Sequence, residues 1–317
     1  MDQITEITFI EMQWSGYDFW INDTNTTDSP VSGIFLINEC GIDLHSFRRV
    51  FQPVVYSMLL AAGLGGNGLL LAVLQSRLGR LGATEIYLLH LALADLLLLL
   101  TFPFALGEAF VGWVFGDFLC RVLGLLNVLS FLCGSLLLVC IGFDRYLAVV
   151  RAVQSVRGRR TRAVHLTCAA VWLLGLCLSA PNAVFLSVGV ERDRGLLQCS
   201  SFSHGLHGNN WNLARRFITH LCFFLPLGLM GYCYSAVIAA LRRGQHSRER
   251  RGAVRLAVLL TAVFCLFWLP YNLAVLAKTL LVLGALPQTC RALELLDHAV
   301  VVTESIGYSH CCINPLL

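Results

Sequence analysis

CRVLGLLNVLSFLCGSLLLVCIGFDRYLAVVRA, residues Cys120–Ala152, is apolar for more than twenty residues and then stops at an Asp-Arg pair. Cys120 and Arg145 lie 25 positions apart, which in an α-helix is ~38 Å. A bilayer hydrocarbon core is only ~30 Å thick, so such a helix leaves one of these residues near each membrane face. The pair is followed by Arg151, Arg157, Arg159, Arg160 and Arg162, and basic residues beside a span mark the cytoplasmic side. The cysteine end can be disulfide-bonded only in an oxidising compartment. Asp144-Arg145-Tyr146 is, at its simplest, a helix end with charges solvated among headgroups; what the other spans carry decides whether it is more.

Six further apolar runs surround this one, at roughly Gln52–Gln75, Thr84–Gly107, Val164–Leu186, Trp211–Leu241, Val254–Leu281 and Leu293–Leu317, with the central span at Phe118–Val149. Most reach the ~20 residues that a helix needs to cross a bilayer. The expected fold is an all-α membrane protein, a bundle of seven transmembrane helices. Its composition agrees: 57% hydrophobic, 13% charged, mean hydropathy +0.71, against ~25% charged in an ordinary soluble domain. The connections after spans one, three and five hold Arg77 and Arg80, the five arginines above, and Arg242, Arg243, Arg248, Arg250, Arg251 and Arg255, thirteen of the 23 basic residues. Basic loops on that side place the N-terminus outside the cell and the C-terminus in the cytoplasm. The arginines are explained by topology, which argues against a nucleic-acid partner.

Two units follow from this: an extracellular tail over 1–47 and a transmembrane domain over 48–317. The tail has eight acids and neither Lys nor Arg, is expected to be disordered until bound, and lacks the basic start and apolar core of a signal peptide. The first span would then act as an uncleaved anchor. Asn22 and Asn25 each open an N-x-Thr sequon, candidates for glycosylation. Tyr17, followed by Asp18, is a candidate for sulfation or an ordinary aromatic.

Each span carries a residue that lipid disfavours: Gly66-Asn67 in the first, Asp95 in the second, Trp172 and Pro181 in the fourth, Pro226 and Tyr234 in the fifth, Trp268-Leu269-Pro270 in the sixth, Asn314-Pro315 in the seventh. An ionised Asp95 at mid-membrane costs at least ~2.5–3.5 kcal/mol, so it should face the bundle interior. The prolines are expected to kink their helices. Toward the outer ends lie Glu108, Asp297 and Glu304, an acidic end suited to steering a basic protein ligand. No internal repeat of the kind seen in many transporters is visible. Enzyme motifs such as GxGxxG, GxxxxGK[ST] and HExxH are absent from the sequence, so no enzyme activity is expected. A retinal protein or ion pump is the remote alternative; its Schiff base needs a lysine deep in the bundle, and the single lysine, Lys278, lies toward the outer end of span six.

With one signature per helix, the chain resembles the rhodopsin-like G-protein-coupled receptors over its whole transmembrane part, Asp144-Arg145-Tyr146 matching their DRY motif. Within them it looks like a chemokine receptor, on Asp144–Ala152, Thr101-Phe102-Pro103 and His310-Cys311-Cys312-Ile313-Asn314-Pro315. Phe104–Glu108 and Val111–Val114 are most similar to the type 5 group of CXC receptors, with type 3 next.

The resemblance implies a plasma-membrane receptor for a basic CXC chemokine. It would activate an inhibitory-class heterotrimeric G protein, raise calcium and drive leukocyte chemotaxis, B cells included. The alternative is a decoy or scavenging receptor without G-protein coupling, against which the intact Asp144-Arg145-Tyr146 argues. The resemblance also implies disulfides Cys120–Cys199 and Cys40–Cys290, and a ligand pocket lined by Tyr56, Glu108, Asn127, Tyr271, Asp297 and Glu304 with Tyr17 on the tail. Asn127 stands where relatives carry a bulkier residue. The switch would comprise Asp144, Arg145, Tyr146, Tyr234, Trp268, Pro270, Asn314 and Pro315. Asn67, Asp95 and Ser130 would form a polar core with a weak sodium site at Asp95; no other metal or cofactor is expected. Membrane lipid, homo- or heterodimers and, for the full-length form, arrestin complete the expected partners. Asn314-Pro315-Leu316-Leu317 reads as the start of an NPxxY motif that stops before its tyrosine, so helix eight and the cytoplasmic tail are expected to be missing.

Overall fold

The computed structural model describes residues 44–77, 79–150, 157–190, 196–201, 206–243, 248–287 and 289–316. Its helices, in chain order, are α1 (Leu44–Gln75), α2 (Ala83–Leu99), α3 (Phe102–Val111), α4 (Gly116–Val149), α5 (Arg157–Phe185), α6 (Leu206–Arg243), α7 (Arg248–Val282), α8 (Cys290–Tyr308) and α9 (His310–Ile313), closed by a 3-10 turn over Asn314–Leu316. These make seven transmembrane segments, with α2 and α3 in series as the second and α8, α9 and the 3-10 turn as the seventh. Six contain a stretch long and apolar enough to cross a membrane. The seventh is less apolar because it carries Arg291, Glu294, Asp297 and Glu304.

Several helices overrun the apolar runs that announce them. The first begins at Leu44 rather than Gln52, and α6 has 38 residues, ~57 Å, so its ends stand outside any hydrocarbon layer. Span two is broken at Leu100-Thr101. Pro103 in the first turn of α3 has no N–H to give back to the preceding turn, and the Thr101 hydroxyl instead donates to the Leu98 carbonyl at 2.7 Å. Gly112 ends α3 with φ of 77°, left-handed backbone that glycine adopts without strain. The described residues are all-α apart from one antiparallel hairpin, β1 (Leu186–Val190) with β2 (Leu197–Ser201), in register Val188 opposite Cys199. Sequence patterning does not predict it.

The bundle is inside-out in the sense a bilayer requires. Large apolar side chains such as Leu266 (70% exposed) and Leu173 (64%) point outward, whereas Asn67 (0%) and Asp95 (1%) are sealed within. One continuous core runs from Tyr56 and Phe102 through Leu129, Cys133 and Leu137 to Phe264 and Trp268. A second, small one at the opposite end joins Val149, Val237 and Val254. Helix α4 lies between, packed against α2, α5, α6 and α7, which is why its residues reach every other part of the site.

Candidate functional site: a pocket and a relay along one helix

At the outer end, Cys120 of α4 and Cys199 of β2 form a disulfide with Cα atoms 5.6 Å apart. The hairpin is held further by polar contacts. Val188 N–H donates to Asp117 Oδ1 at 3.1 Å, Trp113 N–H to the Leu197 carbonyl at 2.6 Å, and Cys199 N–H to Glu108 Oε1 at 3.0 Å. Glu108, named from sequence as a pocket acid, therefore also supports the hairpin. Cys290 is disulfide-bonded; its expected partner Cys40, like Tyr17, Asn22 and Asn25, lies outside the described residues.

Inward from the hairpin, Tyr56, Asn127, Tyr271 and Glu304 are brought together by a residue that the sequence did not single out, Tyr308. Its hydroxyl lies 3.0 Å from Glu304 Oε1 and 3.0 Å from Asn127 Nδ2. A phenol has one proton to give, so the arrangement that satisfies all three groups has Asn127 donating to Tyr308 and Tyr308 donating to Glu304. Its ring touches Tyr56, Phe102 and Trp268, with centroids 6.0, 5.6 and 5.6 Å away. Trp268 in turn meets Tyr271 at 5.6 Å and Phe131 at 4.7 Å. The only signal for Tyr308 was its spacing, four residues after Glu304 on one helix face. Asp297 is not at this cluster. It is buried against Lys278 of α7, with Nζ 2.6 Å from its Oδ1.

Below Trp268, which precedes the helix-interior Pro270, lies the polar core. Asp95 Oδ2 accepts from Asn314 Nδ2 at 2.9 Å; Asn67 Nδ2 donates to the carbonyls of Gly63 (3.0 Å) and Cys311 (2.8 Å); Ser130 Oγ donates to the Ala94 carbonyl at 2.8 Å. Gly66 makes this meeting of spans one and seven possible: a Cβ there would stand 3.2 Å from the Pro315 ring. His310 was quoted from sequence only as part of a longer match, yet it sits between Asp95 and Trp268. Its Nδ1 lies 2.7 Å from the Gly307 carbonyl, which requires Nδ1–H as donor. In that tautomer the Trp268 N–H, 3.2 Å from the same nitrogen, is in contact with it without a hydrogen bond. Nε2 is 3.5 Å from Asp95 Oδ1, an ion pair when the ring carries both protons.

At the inner end, Arg145 and Asp144 form an ion pair, each side chain 13% exposed. Tyr234 of α6 lies over α4 where Gly142 leaves room, a Cβ there being 3.3 Å from its ring. Its hydroxyl donates to the Ala257 carbonyl at 3.0 Å and lies 3.0 Å from Thr261 Oγ1, joining α6 to α7. Tyr146 packs against Phe143 and Tyr232, centroids 6.2 and 6.1 Å away. Pocket, polar core and ion pair are thus all attached to α4.

A family model described as 7 transmembrane receptor (rhodopsin family) matches residues 66–317. Human C-X-C chemokine receptor type 5 is 41% identical over 275 residues, 86% of this chain and 74% of that receptor. C-X-C chemokine receptor type 3 of Bos taurus is 41% identical over 306 residues, 96% of this chain and 80% of that receptor; the human type 3 receptor is 41% identical over 305 residues, covering 96% and 80%. The chain belongs to the rhodopsin-family seven-transmembrane receptors and, within them, to the C-X-C chemokine receptors. It is accordingly a multi-pass plasma-membrane protein and not an enzyme, and the subgroup resemblance of Phe104–Glu108 and Val111–Val114 agrees with these relatives.

Proposed function

We propose that the chain is a cell-surface receptor that binds a basic CXC-type chemokine on its outer face and activates an inhibitory-class heterotrimeric G protein on its inner face, leading to calcium release and leukocyte chemotaxis. The N-terminus is outside, so the acidic tail over 1–47 meets the ligand first. A basic or polar segment of the ligand then enters the pocket and engages Glu304. The observation that carries this is the continuity along α4: a disulfide at Cys120, a hydrogen-bonded Asn127 in the pocket, Ser130 in the polar core and the Asp144–Arg145 pair at the far end. In the resting state Asp144 holds Arg145; on activation Arg145 is released to meet the G protein.

A sodium ion in the polar core fits the donors present. The oxygens Asn67 Oδ1 and Asn314 Oδ1 are buried without a hydrogen-bond partner, and hard oxygen donors beside one carboxylate suit such a cation weakly. Asp95, Ser130, Asn67 and Asn314 would hold it, and its charge would neutralise Asp95 beneath Trp268.

A panel of labelled CXC chemokines tested on transfected cells, followed by nucleotide exchange on the inhibitory-class G protein, tests the function. At least one chemokine should bind and stimulate exchange. Arg145→Ala should keep binding and lose exchange; binding without exchange in the unmodified chain would make it a scavenging receptor.

A further inference from the structure

Between the inner ends of α6 and α7 lies a groove of about 580 Å³ lined by Arg242, Arg251 and Arg255 together with the apolar Ile238, Val258 and Leu259. The three arginines are exposed, and Ile238 and Leu259 are each 40% exposed. We propose that this groove binds an anionic, multiply phosphorylated phospholipid of the membrane's inner leaflet, with its headgroup on the arginines and its acyl chains along the apolar wall.

The groove opens toward lipid rather than into the bundle. Leu259 begins a stripe that continues at Leu266, Leu273 and Leu280, all outward-facing, and seven-residue spacing keeps them on one helix face. Arg255 lies one turn before Leu259 and Arg251 one turn before that, so the charge stands at the end of a lipid-facing stripe. The apolar run of α6 gives way to Arg242 and Arg243, and that of α7 follows Arg251 and Arg255, and arginines that flank such runs stand at headgroup level. The inner wall is closed by Val254, buried against Val149 and Val237, so an occupant approaches from the bilayer side.

Three guanidinium groups on one groove exceed what topology needs there. Positive-inside placement is satisfied by basic residues anywhere in the loop, whereas here they flank a concavity with an apolar floor. Guanidinium forks match phosphate oxygens in pairs, and basic pockets between transmembrane helices suit phosphoinositide headgroups, each basic residue near an anionic surface contributing ~1 kcal/mol. A lipid with a single phosphate would leave most of these donors to water. A soluble polyphosphate would use the arginines but not Ile238 and Leu259.

The test uses the receptor in nanodiscs of neutral lipid doped with phosphatidylinositol 4,5-bisphosphate or, at matched total charge, with phosphatidylserine, bound lipid being counted by native mass spectrometry. Such discs carry the lipid in both leaflets and contain neither chemokine nor G protein, so the result does not depend on the function proposed above. The bisphosphate lipid should be retained about tenfold over phosphatidylserine. The R242Q/R251Q/R255Q variant should reduce that preference to about twofold or less, while R77Q/R80Q/R162Q, which removes the same charge elsewhere, should leave it intact. Equal retention of the two lipids, or equal loss in the two triple variants, would overturn the site. Displacement of the lipid by an equal concentration of free inositol 1,4,5-trisphosphate would overturn its assignment to a membrane lipid.

Discussion

Lys278 Nζ lies 2.6 Å from Asp297 Oδ1, with the two side chains only 2% and 7% exposed, so the outer ends of α7 and α8 are joined by a buried ion pair. A ligand cation at Asp297 would compete with Lys278. The pair therefore fixes the separation of these two helix ends.

Removing one partner leaves the other charge buried and alone, which typically costs ~3–5 kcal/mol. Lys278→Met and Asp297→Asn should each lower the thermal midpoint of the detergent-solubilised receptor, whereas K278D with D297K should recover a large part of the loss. If the reversed pair melts no higher than the single variants, the two residues do not act on each other.

Tyr308→Phe removes the hydroxyl that serves both Asn127 and Glu304 while keeping the ring contacts. The two groups left behind lose bonds worth ~1–3 kcal/mol. Because the ring still fills its place, chemokine affinity should change little and stimulated nucleotide exchange should fall. Glu304→Gln, which keeps an acceptor for Tyr308 but loses the charge, should likewise weaken signalling more than binding. Concentration–response curves beside radioligand binding separate the two effects; parallel losses in affinity and exchange would place Tyr308 and Glu304 in ligand contact alone.

A Cβ at Gly307 would stand 2.9 Å from the Trp268 indole, while one at Gly228, also mid-helix, would meet nothing within 4 Å. Gly307→Ala should therefore force the indole to move at a cost of ~1–3 kcal/mol and alter basal nucleotide exchange. Gly228→Ala should be neutral or slightly stabilising through helix propensity. Identical basal exchange in Gly307→Ala and the parent would show that the tryptophan's position does not set the inactive state.

The Cys120–Cys199 disulfide closes a sequence separation of 79 residues, for which chain entropy predicts stabilisation of ~4–5 kcal/mol. Cys199→Ser should lower surface expression and remove chemokine binding, since the hairpin also loses its anchor beside Glu108. Mild reduction of intact cells should reproduce the binding loss. Retained binding in both experiments would mean that the hydrogen bonds from Asp117, Trp113 and Glu108 suffice to fix the hairpin.

The seven segments were legible in the sequence because a bilayer demands about twenty apolar residues in a row, and little else in a chain produces such runs. Asp95, Asn67 and Asn314 were legible for the opposite reason: lipid penalises them, so their presence needs a purpose. The unread features share a different cause. Lys278 and Asp297 sit on different helices across a loop, where no periodicity relates them. Tyr308 looks like any aromatic in an apolar run, and His310 is hidden inside a longer matching stretch. Leu186–Val190 continues the hydrophobicity of α5, so its turn into a strand leaves no mark in composition; the disulfide and the contacts to Asp117, Trp113 and Glu108 draw the hairpin back over the bundle.

One phenolic proton gives the pocket two discrete settings. Tyr308 Oη lies 3.0 Å from Glu304 Oε1 and 3.2 Å from Asn127 Oδ1, and it cannot donate to both. When the proton points to Glu304, Asn127 offers its NH₂, 3.0 Å from the phenol oxygen. Were a cation to take Glu304, the proton could swing to Asn127 Oδ1, already 3.2 Å away, without any rotation of the amide. A change at Glu304 would thereby pass to a side chain on α4, three residues from Ser130, through the swing of one hydroxyl.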